Sequence, residues 1–147
     1  MTEFIASHFD KQEAQVIARA PVLVFLLVSA ADGTIDKREI EDFESILTGP
    51  SYGDLLAVMN RAKLSIVDTL RQLTESPVDY LDELRQIARV LACRLPANLT
   101  RQIKCQLYEL GRHVAASSGG TEADSDDAIS TQEQVALKVI AGLFDID

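Results

Sequence analysis

From Ala20 to Ala31 the chain is apolar at every position except Pro21 and Ser29. A helix that is apolar all round has no face to give to water, so this run predicts a central helix enclosed on all sides by the rest of the chain. At about a dozen residues it falls short of the roughly twenty needed to cross a bilayer, which makes it a core helix and predicts no membrane span. Pro21 sits where a first-turn proline is tolerated, so it starts or kinks this helix.

The flanking segments read at helical period. Phe9, Glu13, Val16, Ile17 and Ala20 open the pattern. Ile40, Phe43 and Leu47 form the core face of a helix that Gly49-Pro50-Ser51 breaks. A single long helix is predicted from about Asp54 to Leu73, with Leu55, Met59, Ala62, Ile66, Leu70 and Leu73 on one stripe. Leu81, Leu84, Ala88, Leu91 and Leu95 carry the next stripe up to Pro96, and Ile103, Leu107, Leu110 and Val114 the one after. Ser117-Ser118-Gly119-Gly120 and the acidic residues behind it read as a flexible loop over about 117–130. Ser130 caps a last helix whose expected core face is Ala136, Val139, Ile140, Leu143 and Phe144. No run alternates at period two. The expectation is an all-α single domain over 1–147, a bundle of about six to eight helices with an internal duplication. Its 147 residues are enough for one hydrophobic core.

Charge narrows the partners. A net charge of −9 repels a nucleic-acid backbone and an anionic membrane surface, so neither is expected. Cations and basic proteins fit instead. Cys93 and Cys105 lie in helical patterns, and the chain does not open like a signal peptide. Two reduced thiols and a cytoplasmic location follow as the expectation.

The acids are patterned. Ala30-Ala31-Asp32-Gly33-Thr34-Ile35-Asp36-Lys37-Arg38-Glu39 has a partial echo in Ile129-Ser130-Thr131-Gln132-Glu133. Asp32, Gly33, Ile35, Asp36 and Glu39 have the spacing of positions 5, 6, 8, 9 and 12 of a calcium-binding EF-hand loop, which gathers oxygens around a hard cation in one tight turn. Positions 1 and 3 would be Val28 and Ala30, which have no side-chain oxygen. In the distal segment Glu122, Asp124, Asp126 and Glu133 occupy positions 1, 3, 5 and 12, without the glycine at position 6. No Lys or Arg occurs from His113 through Gln134. Acids from both segments meeting in space would repel one another unless a cation joined them. The spacing of Asp126 to Ser130 and Glu133 repeats that of Asp32 to Asp36 and Glu39. Both strings also satisfy capping boxes that need no ligand, and Glu122, Asp124 and Asp127 fit a solvated loop equally well.

The Ala-Ala-Asp-Gly-x-Ile-Asp-x-x-Glu string after an apolar helix, with Val114-Ala-Ala-Ser-Ser-Gly-Gly120 and Ile129-Ser-x-x-Glu133, resembles the TerB-like (tellurite-resistance TerB) family. The resemblance implies an all-helical, internally duplicated fold in which acids of both motifs share a divalent-cation site. It also implies tellurite or other stress resistance and the protein partners of a cytoplasmic stress-resistance complex. Asp32 and Glu39 match the acids of the first motif and Glu133 the glutamate of the second. Ser118 stands where the second motif has its acid, and an insertion separates Gly119 from Ile129, so Asp126 is the candidate replacement. The metal set is therefore Asp32, Asp36, Glu39, Asp126 and Glu133. Oxygen-only ligands on a glycine-containing turn favour calcium over magnesium.

Other chemistry is thin. His8 and His113 form no zinc pattern, and Glu109 with His113 reads as an i,i+4 surface pair. No phosphate-binding glycine loop occurs, and no nucleophile can be paired with a general base. An enzyme is not expected. Two readings stand: a cation-binding domain of the TerB type, or a metal-free helical module whose acidic loop recruits a basic partner.

Overall fold

The first helix begins on a side chain. In the computed structural model, which describes residues 9–29, 37–49, 52–63, 65–75, 79–118 and 131–144, Asp10 accepts the Glu13 N–H at 2.8 Å and Glu13 accepts the Asp10 N–H at 3.0 Å. This reciprocal capping box launches α1, Lys11–Ala18. Pro21 then has no N–H to offer the Ile17 carbonyl, and its ring crowds the preceding turn. The chain pauses at Arg19 and resumes as α2, Ala20–Ser29.

Helix α2 is buried at every position except Leu27, which is half-buried. Helices α3 (Lys37–Leu47), α5 (Ile66–Glu75), α6 (Tyr80–Arg94), α7 (Ala97–Ser118) and α8 (Thr131–Phe144), together with α1, all touch it. The enclosed central helix expected from its composition is what the fold contains. Taken together, Lys11–Ser29 is long and apolar enough to cross a membrane by length and composition, and 67% of its most apolar window is buried inside the fold. Eight helices, including α4 (Gly53–Ala62), and no strand occur among the described residues. The protein is all-α, within the expected range of helix number.

One expected helix is two. The stretch read as continuous from Asp54 to Leu73 breaks at Lys63, which adopts the left-handed conformation at φ 58° and closes α4. Ser65 restarts the chain: its hydroxyl accepts the Asp68 N–H at 3.1 Å at the head of α5. All six residues of the expected stripe are still buried, three on each of the two short helices. Further on, Asp79 caps α6 by accepting the Leu81 and Asp82 N–H groups at 3.1 and 3.2 Å. Pro96 separates α6 from α7, and the Thr100 hydroxyl ties the corner by donating to the Leu91 carbonyl at 3.0 Å.

The final helix is turned from its expected face. Leu137 is buried at 6% exposure, whereas Val139 is 41% exposed. The reason lies across the interface at Gly111 of α7. A Cβ there would stand 3.1 Å from Leu137 Cδ2, 3.2 Å from Val24 Cγ1 and 3.6 Å from Val28 Cγ2. The missing side chain leaves a notch that Leu137 enters. Leu137, Ile140 and Phe144 thus face the core, with Ala136 and Leu143 at the border.

Candidate functional site

The notch at Gly111 brings α2, α7 and α8 together. Ser29 closes α2, Val114 lies about one turn before the end of α7, and both line one pocket with Phe25, Glu39, Asp42, Phe43 and Ile46. Ser118 follows Gly111 by seven residues and Thr131 precedes Leu137 by six, so those helix ends lie about 10 Å from the shared contact. The stretches that leave these helices, 30–36 and 119–130, carry six acids between them.

Helix α3 presents the described acids of the corner. Phe43 stacks on Phe25 with ring centroids 4.5 Å apart and an interplanar angle of 16°, which presses α3 onto α2. Glu39 and Asp42, one turn apart, are thereby held half-buried beside Ser29. The Ser29 hydroxyl oxygen is fully buried and has no hydrogen-bond partner among the described residues. Leaving such a group unsatisfied costs about 1–3 kcal/mol. The room available, about 10 Å³, corresponds to a single water-sized species.

Of the predicted metal set, Glu39 is at this pocket. Asp32, Asp36 and Asp126 lie outside the described residues, as do Glu122, Asp124, Asp127 and His8. Glu133 falls in the first turn of α8, and its side chain also lies outside them. Among the described residues, no group of three His, Cys, Asp or Glu side chains could hold a metal ion. A carboxylate pair and a hydroxyl from described residues could contribute hard oxygen ligands to an ion, but could not complete its shell. Asp42 and Ser29 were not among the expected residues.

A second polar cluster lies along another face of α7. His113 Nδ1 is hydrogen-bonded to the Tyr52 hydroxyl, while Glu109 pairs with Arg112 at 3.8 Å. The rings of Tyr52 and His113 meet edge to face, 5.8 Å between centroids. Burial, and then the nearby Glu109 charge, push the Tyr52 phenol from its ordinary 10.0 up to about 12. It therefore stays protonated at neutral pH. On either side of this pair lies an open cleft of about 330 Å³, one lined by Gln102, Cys105, Gln106 and Glu109, the other by Ser45, Ile46 and Gly49. Cys105 and His113 are two turns apart, about 12 Å along the helix, too far to act as nucleophile and base or to chelate one ion. The 61-residue separation of Tyr52 and His113 left no signal in the sequence.

The chain is similar to the uncharacterized protein ORF11' of Methanothermobacter thermautotrophicus, with 26% identity over 148 residues that cover 94% of this chain and 90% of that protein. No protein-family profile matches the chain, and no solved structure matches it.

Proposed function

We propose that this protein is a non-enzymatic, cytoplasmic cation-binding domain of the TerB type. In this reading Asp32, Asp36, Glu39, Asp126 and Glu133 take up one divalent ion, calcium in preference to magnesium, and ion binding organises the domain for a stress-resistance complex such as one acting against tellurite. The supporting observation is the corner itself. Ser29 of α2 and Val114 of α7 line one pocket with Glu39, and the acid-bearing stretches 30–36 and 119–130 follow those two helices in the chain. Carboxylates brought together there would repel one another, and a hard cation would relieve that repulsion.

Calorimetric titration with calcium tests the reading. The parent protein should bind, and the Asp32→Ala/Glu39→Ala variant should not. A cation that binds only the folded state adds about 2.7 kcal/mol at a hundredfold excess over Kd, which raises Tm by about 5–10 °C for a chain of this length. Chelation should reverse the rise. Equal Tm shifts from calcium and from sodium at matched ionic strength would instead favour a metal-free module whose acidic loop meets a basic partner.

A further inference from the structure

Helix α8 is apolar on its outer side as well as its inner one. Val135 is 56% exposed and Val139, one turn on, 41%. Gly142 follows Val135 by two turns on the same line of the helix, about 10 Å along it. It is exposed too, and a Cβ there would meet nothing within 4 Å. The whole stretch Gln134–Phe144 is apolar, with Lys138 as its single charge and no acid. Helices α1, α3, α4, α5, α6 and α7 each carry at least one acid. A helix that is apolar on both sides is ordinarily covered on both.

Charge and spacing single out what covers it. Copies of a chain at −9 repel one another, so a second copy approaches at least cost along a surface that carries no acid. A basic partner gains nothing there, since Lys138 repels it. The spacing is self-complementary as well. A two-fold axis between residues 138 and 139 sets two α8 helices antiparallel, with Val135 of each copy opposite Gly142 of the other. Each valine then enters the space that a glycine leaves open. Val139 meets the stem of Lys138, whose ammonium stays in water.

We infer that this face of α8 is a docking surface for a second copy of the chain, paired as a two-fold dimer. The inference is independent of the cation-binding reading. A helix face about 16 Å long and 10 Å wide offers far less than the roughly 800 Å² per partner of a stable complex, so the dimer is weak, with Kd between about 1 µM and 1 mM.

Sedimentation velocity of the full chain over that concentration range is the test, with three variants. Val135→Gln/Val139→Gln removes apolar surface without changing charge and should weaken the dimer by more than tenfold. Gly142→Leu enlarges the apolar face but fills the space that Val135 needs, and should also weaken it by more than tenfold. Val67→Gln alters an exposed valine on α5 and should change Kd by less than about twofold. All these side chains face solvent in the single chain, so each variant should keep the parent's circular dichroism. Raising the ionic strength from about 0.1 M to 1 M shortens the Debye length from about 10 Å to 3 Å and should tighten the dimer, because it screens the repulsion between two acidic copies. A parent that stays monomeric up to about 1 mM overturns the inference, as does a series of larger assemblies in place of a closed dimer. A double glutamine variant that dimerises like the parent places the contact elsewhere. A Gly142→Leu protein that dimerises as well as the parent or better refutes the valine-into-glycine fit. Dissociation by salt would show that opposite charges hold the copies together, and would equally refute it.

Discussion

Replacing Gly111 with alanine adds one methyl group where α2, α7 and α8 meet. Two effects of opposite sign follow. Removing a glycine from a helix interior stabilises by about 0.5–1 kcal/mol. The new Cβ, however, would approach Leu137 Cδ2 to 3.1 Å and Val24 Cγ1 to 3.2 Å, so both must give by a few tenths of an ångström. Val24 is fully buried and Leu137 nearly so, and the branched valine has little rotamer freedom with which to yield. Overpacking of this kind costs about 1–3 kcal/mol. Gly142 of α8 supplies the control, since a Cβ there meets nothing within 4 Å. The glycine effect is common to both substitutions, so Gly111→Ala should be less stable than Gly142→Ala by about 1–3 kcal/mol. At about 2–4 °C per kcal/mol the two variants should melt about 2–12 °C apart, and urea titration followed by circular dichroism should give the same order. A Gly111→Ala protein as stable as Gly142→Ala would mean that the three helices do not meet at this residue.

Two further substitutions report on local geometry. Lys63→Gly should stabilise the protein by about 0.5–1 kcal/mol, because the left-handed backbone at φ 58° costs lysine more than it costs glycine; a higher urea midpoint with an unchanged slope is the expected result. Tyr52→Phe should change the alkaline limb of the stability curve. The folded state holds the Tyr52 proton to about 12 against an ordinary 10.0, so the stability of the neutral phenol is present in full below pH 10 and is lost as pH rises towards 12. Melts of the variant and parent over that interval should therefore converge with rising pH, and parallel curves would refute the assignment.

The helical stripes were legible because burial repeats every three or four residues, and Leu55 through Leu73 show both the strength and the limit of that signal. All six stay buried across the break at Lys63, so periodicity alone could not reveal it. The Ser65…Asp68 spacing of an N-cap was the available clue. Leu137 and Val139 exchanged roles because a notch opposite them, at Gly111, decides which residue enters the core, and such a pairing between distant segments has no periodic trace. Ser29 was visible as the polar exception in an apolar run, but its place in one pocket with Glu39 and Asp42 was not, because they come from different helices. The remaining members of the predicted metal set lie outside the described residues or have side chains that do, so at the site the sequence and the fold meet at Glu39.

The enclosed position of α2 also shapes how the chain is made. Its apolar surface leaves the ribosome early, yet the α7 residue that covers Val24 and Val28 is Gly111, about eighty residues later. At 5–20 residues per second this is an interval of about 4–16 s. Throughout it, a helix with no polar side is without its final cover, and neighbouring nascent chains present the same surface. The design that makes α2 a stable centre for the finished fold thus makes it the segment most in need of a holding chaperone during synthesis.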